Sequence, residues 1–227
     1  MTKRPPGVYE RLRDSIIRGR MAPGSRMAEQ EIAHRMGLSR TPVREAMRKL
    51  EQDGFLVGVG SPRRAQRIVA PLTAADLIDL YNLVAVLEGE AARIVAGLPG
   101  RTRHEIGLEL QSLEATYKKL GSEEAPDYDR LFEAHNAVHI RFVESSDSPR
   151  VRSILDTIRP QIDRYEYNYA PLVGPDYRDT FEEHDEMVYE LHSGTPDGAQ
   201  HAVRRNWLNS GKRLLAAIKR TGPKGEW

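Results

Sequence analysis

The sequence predicts a mainly α-helical protein in two parts. An N-terminal winged helix-turn-helix with a small β-hairpin wing precedes an all-helical bundle of about six helices. Three observations predict it. Apolar residues recur at helical spacing through most of the 227 residues. The β-prone runs are confined to a short pair on either side of residue 60. Charge divides near the same place: residues 1–70 hold 15 Lys and Arg against 7 Asp and Glu, and the remainder holds 19 against 26. A basic front half attracts phosphate, and an acidic remainder keeps the rest of the molecule away from it.

Each element follows in turn. Val8, Tyr9, Leu12, Ile16 and Ile17 form a helical stripe that stops at Gly19, and Met21-Ala22-Pro23-Gly24 is a turn. Glu29 to Met36 is a second helix with Ile32, Ala33 and Met36 inward and Gly37 closing its C-terminus. A third runs from Ser39 to Asp53 over Val43, Ala46, Met47 and Leu50, and Gly54 ends it. Residues 55–59 and 67–70 flank Gly60-Ser61-Pro62-Arg63-Arg64 and read as a hairpin. Beyond Pro71 the pattern is helical. Thr73 caps a helix that buries Leu77, Leu80, Tyr81, Val84, Leu87 and Ala91 and ends near Gly97. Further helices are expected at about 101–119, 127–146, 149–168, 176–193 and 196–219, with Pro160 kinking or breaking the third of these. The tail TGPKGEW is expected to fray. The expected domains are 1–71 for the winged head and 72–220 for the bundle, with 221–227 as the tail.

The composition excludes several classes. Without cysteine there is neither a disulfide framework nor a thiolate metal site. No apolar run approaches the roughly 18 residues that span a bilayer. The opening MTKRPPG lacks the apolar stretch of a secretory signal, so a cytoplasmic protein without membrane contact is expected.

The stretch from Glu29 to Leu56 carries the chemistry. Two short helical patterns meet at Gly37, and the second opens Ser39-Arg40-Thr41-Pro42 with arginine again at Arg44 and Arg48. A hydroxyl at the cap, proline in the first turn and arginine at four-residue spacing give one cationic helix face. Such a face suits the DNA major groove, where arginine grips guanine O6 and N7 or a phosphate. The competing use of these arginines is a surface ion pair, Arg44 with Glu51 or Arg48 with Glu45.

This block resembles the GntR family of bacterial regulators, through the turn Met21-Ala22-Pro23-Gly24, Glu29 with the helix after it, SRTPVREAMRKLEQDGFL and the two-stranded wing. The helical remainder resembles the FCD ligand-binding domain of the family's FadR-type branch. That likeness is carried by Asp79-Leu80-Tyr81-Asn82-Leu83, Leu87-Glu88, Ala91-Ala92-Arg93, His139 nine residues before Ser148-Pro149, and Glu182-Glu183-His184. Carried over by position, Ser39, Arg40, Thr41, Arg44 and Arg48 read DNA, with Arg40 and Arg44 as base readers and Ser39 and Thr41 on phosphate. Arg63, Arg64 and Arg67 of the wing track the backbone. The chain departs from the family at Gln30, where many members have arginine, and at Gln66, where the wing usually has glycine.

His135 and His139 stand four apart, on one helix face. In FCD domains the matching positions usually supply Asp, His, His and His to one divalent cation, and here they read His135, His139, His184 and Asn206. Three neutral imidazoles suit Zn²⁺ or Ni²⁺, with water or an effector carboxylate completing the shell. The alternative is a metal-free polar pocket. Many relatives carry an arginine where this chain has Val84, so Arg141 and Arg164 become candidates to meet an effector carboxylate, with Tyr165 beside them.

The resemblance implies a ligand-responsive regulator, a homodimer on a palindromic double-stranded DNA operator, released by a small organic acid. Two other readings stand beside it: a constitutive DNA binder whose helical half only dimerises, and an enzyme with a three-histidine metal centre. Against the enzyme, the chain has no His-Glu-x-x-His run, no Gly-x-Ser-x-Gly elbow and no phosphate-binding glycine loop.

Overall fold

The computed structural model describes residues 6–60, 66–173 and 176–225. The head comprises α1 (Val8–Ile17), β1 (Arg26–Met27), α2 (Glu29–Met36), α3 (Arg40–Gln52), β2 (Leu56–Val59) and β3 (Gln66–Val69). The bundle comprises α4 (Ala74–Ala96), α5 (Gly100–Gly121), α6 (Tyr128–Ser145), α7 (Pro149–Val173), α8 (Arg178–Ser193) and α9 (Pro196–Thr221). Helix ends follow local chemistry. Gly37 takes φ 67° after α2, a conformation costly for any residue with a Cβ. Thr73 Oγ1 accepts from Asp76 N at 3.2 Å before α4, and Asp127 accepts from Asp129 N and Arg130 N before α6.

The wing is a three-stranded antiparallel sheet in the order β1-β3-β2, with Leu56 opposite Val69 and Met27 opposite Arg67. The sequence reading missed β1, whose two residues are too few to alternate visibly. The head's own core joins Leu12, Ile16, Ile32, Val43, Met47, Leu50, Phe55 and Val69. The bundle buries a separate cluster around Tyr81, Val84, Leu110, Val138, Phe142, Ile162, Met187 and Trp207. Helices α4 and α9 lie closely together because a glycine of each faces a large side chain of the other, Gly89 against Arg204 and Gly211 against Tyr81. A Cβ on Gly211 would come to 3.0 Å from the Tyr81 ring.

Two expectations need correction. Pro160 does not end its helix: α7 runs continuously from Pro149 to Val173 with both Pro160 and Pro171 inside. Burial of Leu155, Ile162, Tyr165 and Tyr169 holds the helix together across the missing donor. The tail does not fray through Gly225. Leu72 N donates to Lys224 O at 2.9 Å, Lys224 N donates back at 3.4 Å, and Lys224 Nζ donates to Asn168 O at 2.8 Å. Gly225 packs on Gly24 so closely that a Cβ there would meet Gly24 N at 2.5 Å.

Candidate functional site

In the head, α3 buries Val43, Ala46, Met47 and Leu50 and leaves Thr41, Arg44 and Arg48 exposed on the opposite side. Ser39 sits at the N-cap position, but its hydroxyl makes no capping bond. Arg40 is 67% exposed and stands 3.7 Å from Glu29. Arg44 has no ion pair among the described residues; Glu51, its expected competitor, is bonded instead to Arg67 Nε at 2.8 Å. The Arg48–Glu45 pair does form, at 3.7 Å with both side chains 61% exposed, and is worth little in water. Arg67 also reaches Glu29, at 3.3 Å, so it fastens the wing's inner strand to α2 and α3. Glu29 thus touches both arginines and orients the cationic face. Arg63 and Arg64 lie outside the described residues.

In the bundle, His135 and His139 of α6 meet His184 of α8, with one ligand atom from each lying within 4.8 Å of the others. The His135 and His184 rings stack at 5.3 Å, and His139 stands edge-on to both. Two carboxylates orient the rings. Glu88 Oε2 lies 2.9 Å from His139 Nδ1, and Glu114 Oε1 lies 2.5 Å from His184 Nδ1. A carboxylate on Nδ1 fixes the tautomer that leaves Nε2 as a lone pair, the arrangement found behind metal-bound histidines. Both Nε2 atoms are buried and without a hydrogen-bond partner. Burial and the neighbouring histidines push His135 and His139 well below the ordinary imidazole value, so both are neutral at pH 7.

These features fit a divalent cation. Nitrogens bound at roughly 2.0–2.1 Å stand no more than about 4.2 Å apart, so closure needs movements of roughly half to one ångström. Asn206 is buried on α9 and donates its Nδ2 to Glu183 at 3.0 Å, which leaves its carbonyl oxygen for a metal or a bound water. Glu88 is wholly buried, accepts from Trp207 Nε1 at 2.8 Å and pairs with Arg159. His104 and His192 pair with each other away from this centre.

A cavity of about 120 Å³ opens beside His135, walled by α5 to α9 and the segment leading into α8. Glu166 lines it, with its carboxyl pushed up to about 8 by burial and by Asp163. None of the four residues expected in an effector pocket lines this cavity. Val84 is in the bundle core because α4 turns that face toward α9. Arg141 points outward and pairs with Glu109 at 2.6 Å. Arg164 faces the head, where it bonds Ala70 O at the domain junction and places its guanidinium 5.8 Å from the centre of the Phe55 ring. The Tyr165 hydroxyl binds Thr73 and Asp76 at that junction. The cation that does line the cavity is Arg213, bonded to both oxygens of Glu183.

Sequence reasoning missed Arg213, Glu88 and Glu114, yet each left a signal. Arg213 lies seven residues after Asn206, on the same face of α9. Glu88 lies four after Val84, and Glu114 four after Leu110, so both are acids within buried apolar stripes.

A cationic helix on a winged head, joined to a helical bundle with a buried histidine centre, defines a two-part helix-turn-helix protein. The family described as "Bacterial regulatory proteins, gntR family" matches residues 6–60, and the FCD domain matches residues 79–208. The chain belongs to the GntR family, and its C-terminal part is an FCD domain. One relative is an HTH-type transcriptional regulator in the ttuE-ttuC' intergenic region of Agrobacterium vitis, 35% identical over 103 residues; the match covers 45% of this chain and 58% of that protein. The HTH-type transcriptional repressor RspR of Escherichia coli is 26% identical over 171 residues, covering 74% and 70%. Among solved structures, E. coli McbR/YncC shares the fold with a TM-score of 0.69 at 18% identity, covering 92% of this chain and 95% of that one. The family is one of regulators, and the enzyme reading is set aside with it.

Proposed function

We propose that this protein is a transcriptional repressor that binds a palindromic operator as a homodimer and is released by a small carboxylate. In this reading residues 1–71 form the DNA-reading domain, 72–220 the effector and dimerisation domain, and 221–227 the tail. Arg40 and Arg44 read bases, Ser39 and Thr41 set the register on phosphate, and Arg48 and the wing add backbone contacts. The dimer reading is supported by α4, which leaves Ile78, Leu83 and Val86 exposed to 43%, 52% and 53%. A two-fold dimer doubles the phosphate contacts and matches a two-fold operator. Among the described residues no helix is long and apolar enough to cross a membrane, and we place the protein in the cytoplasm.

The observation that carries the sensing half is the pair of orphaned Nε2 atoms in a buried triad. His135, His139 and His184 would hold Zn²⁺ or Ni²⁺, with Asn206 on the metal or its water. The ion supplies a Lewis-acidic position for an anionic effector.

The test has two readouts on the full chain. Metal content of chelator-free protein is expected near one Zn or Ni per chain and lost in His139→Ala and His184→Ala. Selection from random duplexes is expected to return a palindrome bound by two chains, with Arg44→Ala costing about 1–3 kcal/mol of discrimination at one base pair per half-site. Asymmetric sites, or discrimination unchanged in Arg44→Ala, would overturn the operator reading. Wild-type protein that takes up neither ion would overturn the metal centre.

A further inference from the structure

We propose that the cavity beside His135 is built for a single-ring aromatic carboxylate, the ring seated among Tyr117, Tyr128, Phe132, Tyr167 and Tyr177 and the carboxylate turned toward Arg213 and the histidine centre. The proposal rests on the effector-domain reading above and names the ligand class of that domain.

The walls are the first argument. Five of the lining side chains are aromatic, contributed by α5, α6, α7 and the residue before α8. Phe132 and Tyr167 lie 4.1 Å apart and tilted, and Tyr117 stands 5.3 Å from the His135 ring. An aromatic guest in such a lining gains edge and offset contacts that a short aliphatic acid cannot make, about 0.5–1.5 kcal/mol per ring pair beyond burial.

Size is the second argument. The cavity is about 120 Å³, whereas a dry apolar cavity of about 150 Å³ holds benzene. The space is of single-ring size.

Charge decides the functional group. The acids at the cavity have their own partners. Both oxygens of Asp176 are bonded by Arg178, and Glu166 accepts from the Tyr81 hydroxyl at 3.2 Å. Arg213 gives Nη1 and Nη2 to Glu183 and keeps its other N–H groups for a ligand. With Arg213 the cation in the lining and the acids already partnered, an anion is matched and an amine is not.

The experiment is calorimetric titration of the full-length, Zn²⁺-loaded protein with benzoate, acetate, 2-naphthoate and benzylamine. Wild type, Ala170→Leu, Tyr177→Ala and Arg213→Gln are compared, and metal content is measured on each sample. Benzoate is expected to bind at least tenfold more tightly than acetate or 2-naphthoate, with benzylamine silent. Ala170→Leu, which fills the cavity from α7, should abolish benzoate binding with metal retained. Tyr177→Ala should weaken benzoate and leave acetate unchanged, and Arg213→Gln should weaken both acids tenfold or more. Acetate binding as tightly as benzoate, or benzylamine in place of benzoate, overturns the proposal. Tight benzoate binding that leaves operator affinity unchanged supports the ligand class and overturns the effector reading, so the two fail separately.

Discussion

His184 Nε2 is a buried nitrogen whose lone pair meets no donor, and the residue responsible is Glu114 on the opposite side of the ring. The sequence showed a centre without an acidic ligand. The structure moves the negative charge one layer back, onto Glu114 behind His184 and Glu88 behind His139. Glu88 is already shared with Arg159 and Trp207 Nε1, whereas Glu114 keeps Oε2 without a hydrogen bond. Replacing Glu114 by Gln keeps the volume but presents either a neutral acceptor or the wrong donor to Nδ1. Loss of such a partner typically costs 10–100-fold in metal affinity, and that is the expected outcome in chelator competition at pH 7. The same titration run downward in pH checks the imidazoles. A ligand nitrogen must be neutral, and the folded values of His135 and His139 lie well below 6.5, so protons do not compete for those two nitrogens until the pH falls well under 6.5. Zn²⁺ retained at pH 7 and released only under acid supports this. Half-release near pH 7, or a Glu114→Gln protein with wild-type affinity, sinks the account.

Among the elements, α7 is the one that faces both ways. Asp163, Glu166 and Ala170 follow one another at helical spacing, and Glu166 and Ala170 line the cavity. Gln161, Arg164 and Asn168 lie about 200° away on the same helix, and they meet the head or its linker. Gln161 Nε2 donates to Asp53 O at 2.6 Å, Arg164 bonds Ala70 O, and Asn168 packs against Gly19. A shift of α7 on ligand binding therefore reaches the C-terminal end of α3 and the base of the wing. Arg164→Met keeps the buried stem but removes the bond to Ala70. The expected result is operator affinity close to wild type without ligand, and loss of most of a ligand-linked change of about 1–3 kcal/mol, read by fluorescence anisotropy. Undiminished coupling would remove α7 from the path. Much of this element was legible in advance: its start at Pro149 and its apolar spacing are plain in the sequence. Its continuation past Pro160 was not, because proline's local penalty is visible in sequence and the tertiary burial that offsets it is not. The histidines were legible for the opposite reason, since a spacing of four fixes a shared face whatever surrounds the helix. Val84 lies in the core and Arg141 against Glu109, because a position along a helix does not say which neighbour that face meets.

At the scale of the whole molecule, α9 links the sensing centre to the head by a second route. It carries Asn206, Ser210 and Arg213 at the site, and the chain beyond it returns to the junction, where Lys224 pairs with Leu72 and bonds Asn168 of α7. Gly225 then lies against Pro23 and Gly24, the turn leading to β1. Linker, α7 and tail therefore meet at one point between a basic head and an acidic bundle, whose opposite charges favour contact and weaken with salt. Removing residues 222–227 deletes the two backbone hydrogen bonds to Leu72, the Lys224 bond to Asn168 and the Tyr169 hydroxyl's bond to Gly222 O, while the α9 residues of the site remain. At about 0.5–1.5 kcal/mol each, these four bonds predict a loss of roughly 2–6 kcal/mol in urea unfolding. Metal content should be unchanged, because no ligand lies in the deleted segment. The ligand-linked change in operator affinity should fall, and combining the truncation with Arg164→Met should abolish it, since both act on one junction. Truncated protein that unfolds as the wild type does and releases its operator with the same ligand response would show that the strap is passive and that α7 alone carries the signal.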